Sequence, residues 1–486
     1  MGYNSPMEEF VGSWWHPDNP KRTIGGVLKI DDTGRSELRL TDRLFMERKV
    51  GPGVNHEEFP VSVGPEMRPP VLHGKSKGRF ITLLDSLSIR DGSVSGIDCT
   101  NDDQTVSPDV VIVGIHLESS DLRMFDGIRV EIENLTSWAN MSGLESVYGD
   151  DVFSFRSRSV NSMVATSGEY ELRLIQIRSK AGRPRIRLDG MVANIEEKVR
   201  LDVRREDLVT WNDFNEPVRK MQDLLTFASR HPCAVLSRAL LKGVGAEEKM
   251  YRMYVREFVP PSAAVESGND LFLFRMSDSS FGEIIAKWDD LVTRAGIGVN
   301  VLFGLDYQID QYNENQIFSA ASAVESIHRG LYPNSVALDA GEYESLLGDL
   351  KSSLSKEQYG WAKVRLRNDM GYKDRVMQIA KIPDSKAVEK LIGNVDQWAK
   401  WLRDSRNSIA HLDLSDLDRI PDDARYHLSY VTAALLHVAF MRELGFNAEM
   451  QCRAVDFIYW YRSGVFRTAC IAAAHEARSR DKSLDS

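Results

Sequence analysis

Arg406, Asn407 and His411 form an Arg-Asn-x-x-x-His spacing at the end of an apolar-periodic stretch that begins at Ala387. A guanidinium is a permanent cation that grips phosphate through paired hydrogen bonds, and an imidazole exchanges protons near neutral pH. The amide beside them can orient either group. In a helix, Asn407 and His411 lie one turn apart on the same side, and the long Arg406 side chain can reach their patch. Such a trio suits charge stabilisation and proton transfer at a phosphate.

The spacing alone is common, with roughly two chance matches expected in a chain of this composition. Arg68-Pro69-Pro70-Val71-Leu72-His73 is a second copy. Its two prolines forbid a shared helical edge, so context favours the Arg406 copy.

The elements that must position the trio are helical. Asn315 to Tyr332 carries Ile317, Phe318, Ala321, Val324, Ile327, His328 and Leu331 on one broad face, and Pro333 stops it. Tyr343 to Leu354, Trp361 to Ile379, Ala387 to His411 and Tyr426 to Leu444 continue the periodicity, with Pro383 and Pro421 in the gaps. The Ala387 to His411 segment predicts one helix of about 37 Å at the standard rise. Its buried stripe is Val388, Leu391, Ile392, Val395, Trp398, Ala399, Leu402 and Ile409. A series of this kind packs as an antiparallel bundle of four or five helices.

The chain up to about Val203 follows a different rule. Val27 to Ile30, the turn Asp31-Asp32-Thr33-Gly34 and Leu38 to Leu40 alternate apolar and polar residues as a strand pair does. Phe80 to Leu84, Val110 to Ile115, Ile128 to Ile132 and Tyr170 to Ile175 repeat the theme between turn residues, which suggests a sandwich or barrel. Trp14, Trp15 and Trp138 are expected to fill that core, and His73 and His116 to be hydrogen-bonded structural histidines. Val218, Met221, Leu224, Leu225 and Ala228 then mark a helix, and Phe281 to Ala295 another. Ala234 to Leu241 reads as helix or strand, and a hinge is expected between about 295 and 310. The fold class is therefore α+β multidomain, with a β-rich sandwich-like domain at 1–205, a helical connecting region at 206–305 and an all-α bundle at 306–486.

Composition bounds the function. A chain of 486 residues is too long for one core. Its 42% hydrophobic and 27% charged content is that of an ordinary soluble protein. A formal charge of -10 argues against coating nucleic acid by bulk electrostatics, although a local basic site remains open. Cys99, Cys233, Cys452 and Cys470 are scattered without metal-ligand spacing, so neither a disulfide framework nor a zinc site is expected. No cofactor motif, secretory signal or membrane-spanning run is found, and Pro6 departs from a myristoylation site. A cytoplasmic location is expected.

Arg406-Asn407-Ser408-Ile409-Ala410-His411, late in a helix of an all-α bundle, resembles the catalytic signature of HEPN-domain ribonucleases. The first half resembles the β-rich domain that precedes HEPN in ApeA-like bacterial anti-phage proteins. Gly12-Ser13-Trp14-Trp15-His16-Pro17, Val113-Gly114-Ile115-His116 and Leu135-Thr136-Ser137-Trp138 carry that likeness. Glu325 and Arg329 fall where such domains often place additional polar residues, and a solvated or salt-bridged Glu325 is an equal alternative.

The resemblance implies a metal-independent endoribonuclease of abortive infection. The substrate's 2′-hydroxyl attacks the adjacent phosphate, leaving a 2′,3′-cyclic phosphate and a 5′-hydroxyl. His411 would move the proton, Arg406 would stabilise charge on the phosphate, and Asn407 would orient either. It also implies a homodimer through the helical domain that pairs two motifs, an RNA substrate such as a tRNA loop, and a phage-derived activator. The alternative is a non-catalytic RNA- or protein-binding module with a ligand-binding β domain.

Overall fold

The structure is a computed structural model that describes residues 8–44, 49–52, 58–61, 70–91, 104–148, 153–178, 185–187, 190–192, 195–262, 272–308, 311–412 and 417–484. Arg68 and Pro69 of the second motif copy, and Cys99, lie outside them. The α+β organisation expected from the sequence is observed: a large antiparallel sheet comes first and helices follow.

The alternation in the first half has its expected consequence. In Ile24–Ile30, every second residue from Ile24 to Ile30 is buried. The turn that follows is closed by Asp31, whose carboxylate accepts from the amides of Thr33 (2.9 Å) and Arg35 (3.0 Å). Gly34 supplies the positive φ of 78°. Ser36–Leu40 then returns beside Ile24–Ile30.

Among the described residues these pairings extend into a fourteen-stranded sheet, accompanied by three two-stranded ones. A sheet this wide must twist and curl. Strands Glu8–Trp15, Ile24–Ile30, Ser36–Leu40 and Arg79–Leu84 send Phe10, Trp14, Leu28, Leu38 and Leu83 into one shared core. Trp14 is fully buried against Gly74, where a Cβ would stand 2.2 Å from the indole. Trp138 is also fully buried. His73 donates from Nε2 to the Leu117 carbonyl (2.8 Å), and His116 to that of Gly74 (2.9 Å). Their rings stack with centroids 4.2 Å apart.

The stretch 206–305 differs from a helical connector. The Asn215–Ser229 helix forms as the apolar spacing implies, but Val235–Lys242 and Lys249–Val255 are strands. Val235–Lys242 pairs with Phe125–Ile132 and Lys249–Val255, which places both inside the sheet. The cause is burial on the sheet: Ala239, Leu240 and Leu241 form a continuous apolar run, which a central strand paired on both sides accommodates. The hinge expected at 295–310 instead holds a helix, Ile297–Tyr307. The chain divides into two compact units: 1–228, 232–270 and 275–282 form the first, and 229–231, 271–274 and 283–486 the second.

In the second unit, two long helices expected from periodicity are each broken in two. Ala387 to His411 becomes Ser385–Ile392 and Val395–His411, because Gly393 takes φ 80° and the Asn394 side chain caps the new helix by accepting from the Gln397 amide. Trp361 to Ile379 becomes Lys356–Arg365 and Tyr372–Ile379, with Gly371 at the second N-cap. A C-terminal helix, Trp460–Leu484, preceded by a π-helical turn at Val455–Tyr459, adds to the helices that the sequence spacing marked.

Candidate functional site

The helix Val395–His411, called the motif helix below, is fixed by its buried face of Trp398, Ala399, Trp401, Leu402, Ser405 and Ser408. Trp398 donates its indole N–H to Thr432 Oγ1 at 3.0 Å, so the largest side chain is satisfied as well as buried. Trp401 packs edge-on against Phe466. These contacts leave the opposite edge, bearing Arg406, Asn407, Ala410 and His411, turned outward.

Arg406 is about one-third exposed and held on three sides. Its Nη1 donates to Asn407 Oδ1 at 3.2 Å, and its Nη2 stands 3.6 Å from Glu325 Oε2. The guanidinium carbon lies 5.5 Å from the centre of the Tyr372 ring. A cation over a ring and beside a carboxylate keeps a fixed direction at modest energetic gain. Glu325 also takes Arg329, whose Nη2 is 2.9 Å from Oε1, so one carboxylate sits between two guanidinium groups. Tyr372 is anchored by donating its hydroxyl to the Ala321 carbonyl at 3.1 Å. Burial, followed by the charge of Glu325, pushes that phenol far above its ordinary range, so it stays neutral.

His411 is the last residue of the motif helix and is exposed. Its side chain makes no hydrogen bond or ion pair with another described residue, and Leu412 ends the helix at φ 57°. At 3.6 residues per turn, Arg406 and His411 are about 140° apart around the axis. The structure therefore brings Arg406 and Asn407 together and leaves His411 one turn further on, with no side-chain hydrogen bond to either. Glu325 is salt-bridged, to Arg329 and to Arg406 itself.

Tyr372 was not marked by any spacing in the sequence. Its only local cue is the Gly371 cap that starts its helix. Behind it lies a buried polar pair. Arg375 donates to His328 Nδ1 at 3.2 Å and to the Met370 carbonyl at 3.0 Å, while His328 Nε2 donates to Gln378 at 2.8 Å. With Nδ1 accepting, His328 is neutral, and burial pushes it below its ordinary value.

Two family models match the chain: ApeA N-terminal domain 1 over residues 9–288 and ApeA-like HEPN over residues 318–450. The second match contains Glu325, Tyr372, Arg406, Asn407 and His411. No curated protein and no solved structure matches the chain. Among the described residues, no helix is long and apolar enough to cross a membrane.

Proposed function

The chain belongs to the ApeA family, with an ApeA-like HEPN domain following its N-terminal domain, and on that premise we propose that it is a metal-independent endoribonuclease of bacterial anti-phage defence. The observation that carries this reading is the exposed edge of the motif helix. An oriented guanidinium, an amide in contact with it and a freely accessible imidazole occupy its last two turns.

In the proposed reaction the RNA supplies its own nucleophile. Arg406 faces the phosphate and stabilises the charge that develops on its oxygens. His411 accepts the 2′-hydroxyl proton or returns one to the leaving 5′-oxygen. Asn407 fixes Arg406 by accepting its N–H, which leaves the amide nitrogen free to donate to the phosphate.

One imidazole does not serve both proton transfers at once. The angular gap between Arg406 and His411 supports a site completed by a second copy of this chain, with two motif helices facing one cleft. We assign the RNA to unpaired segments such as tRNA loops, where the 2′-hydroxyl and the phosphate are free to align. The N-terminal domain would restrain the nuclease until a phage component binds. The cytoplasm, where RNA is found, is the corresponding location.

Growth after induction tests the reading cheaply. Wild type should arrest cells, while His411→Ala and Arg406→Ala at equal protein level should not. Equal toxicity of all three would remove the nuclease reading. The dimer is tested separately by light scattering, and a monomer that cuts RNA at the full rate would remove the composite site.

A further inference from the structure

Beside His411 the bundle has an open groove of about 600 Å³, lined by Gln311, Asn315, Phe318, Ser319, Ile409 and Ala410. It lies between the first turns of the Asn313–Leu331 helix and the last turn of the motif helix. Building on the nuclease reading, we propose that this groove is a subsite for one unstacked RNA base, next to the phosphate that Arg406 holds.

The geometry points to a base in three ways. First, Phe318 sits at a position that periodicity assigns to the core, yet it is 39% exposed and contributes to the wall of the groove. An aromatic face open to a groove is the element on which single-stranded nucleic acids stack. Second, the polar lining is two amides and the Ser319 hydroxyl. Asn315 is exposed and has no partner among the described residues, so its donor and acceptor remain available side by side. That pairing is what a base edge requires. Gln311 is held by Gln308, which orients a second amide on the same rim.

Third, the groove is continuous with the phosphate end of the site. Phe318, Ser322, Glu325 and Arg329 follow one another at helical spacing on the Asn313–Leu331 helix, and Glu325 contacts Arg406. Phe318 is thus about 10 Å along the helix from the residue that orients Arg406. His411 follows directly on Ile409 and Ala410, which form the other wall. Along the motif helix the groove wall therefore lies between Arg406 and His411, so a base seated there borders both the cation and the imidazole. The mixed, concave lining favours a single planar ring with a polar edge over a second copy of the chain, which would need a broader apolar face.

The test is the base composition at cut sites, read by sequencing RNA 5′-hydroxyl ends after inducing full-length variants. Wild type and Glu314→Gln, a change on the same helix outside the groove, should share one base preference at a position bordering the cut. Phe318→Ala and Asn315→Ala should each reduce that preference by roughly five-fold or more, the scale of one lost stack or base contact, and Phe318→Tyr should retain it. An unchanged preference in the Ala variants overturns the subsite. So does loss of cutting in Phe318→Ala that Phe318→Tyr fails to restore, or loss accompanied by a shift from dimer to monomer, which would make the groove a self-interface. If wild type yields no ends beyond those of His411→Ala, the nuclease reading fails first and this inference with it.

Discussion

The helical unit contains a buried ionic cluster whose removal has a calculable cost. Asp306 accepts from Arg230 Nη1 at 3.1 Å and from His437 Nε2 at 2.9 Å, and Arg230 Nη2 stands 3.1 Å away as an ion pair. The side chains are 7%, 15% and 0% exposed. His437 Nδ1 stands 3.3 Å from the Tyr459 hydroxyl. With Nε2–H donating to Asp306 and Nδ1 accepting from Tyr459, a neutral tautomer serves these two partners, while Arg230 Nη1 stands 3.2 Å from the same Nε2. Burial alone would raise the Asp306 carboxyl, but Arg230 and then His437 hold it well below the usual carboxylate range. Asp306→Asn keeps the shape and removes the charge, leaving Arg230 buried without a counter-ion. It also places an amide N–H where His437 donates. Breaking one side of a buried pair costs about 3–5 kcal/mol, which speeds exchange of protected amides by roughly a hundred- to several-thousand-fold. Hydrogen exchange read by mass spectrometry on the Asp422–Glu443 helix, which carries His437, measures this locally. Replacing both partners with apolar residues, as in Asp306→Leu with Arg230→Met, should recover much of the loss. Protection unchanged within about three-fold in Asp306→Asn, an effect below ~1 kcal/mol, would refute the cluster's role. A double variant no better than the sum of its singles would refute the electrostatic explanation.

Two other predictions concern stability. His116, His328, His427 and His437 are all lowered from the ordinary 6.5, each first by burial. The unfolded chain therefore takes up protons below about pH 6.5 that the folded chain refuses, and stability should fall as pH drops through that value towards the folded values. A melting temperature that rises or stays flat between pH 7.5 and 5.5 would contradict this. Gly74→Ala should destabilise the sheet unit by about 1–3 kcal/mol, since its Cβ meets the buried Trp14 ring. Denaturant unfolding followed by indole fluorescence would show an unaltered midpoint if Trp14 could instead give way.

Much of this architecture is legible in residue order because its causes are local. Alternation across Ile24–Ile30, the Asp31 to Gly34 turn and the apolar stripe around Trp398 each act over one element. The misread elements have causes of another kind. Ala239 to Leu241 is apolar on both faces, so no period distinguishes strand from helix until the neighbouring strands are known. Gly393 and Asn394 carried a local signal, a C-terminal glycine followed by a capping asparagine, but the apolar stripe runs across them and hides the break. Within the site, Arg406, Asn407 and His411 are near neighbours in sequence, and their shared helix is legible. Tyr372 and Glu325 meet Arg406 only through helix packing, and no spacing within either segment encodes that meeting.

The central claim is that Arg406, Asn407 and His411 cut RNA through its 2′-hydroxyl, and the product ends test it most directly. RNA from cells expressing wild type, Arg406→Ala or His411→Ala at equal level would be sequenced for 5′-hydroxyl ends. Recurrent ends in wild type, each matched by an upstream 2′,3′-cyclic phosphate and absent from both variants, are the expected result. Ends that persist in His411→Ala, or wild-type cuts that carry 5′-phosphates, would contradict it.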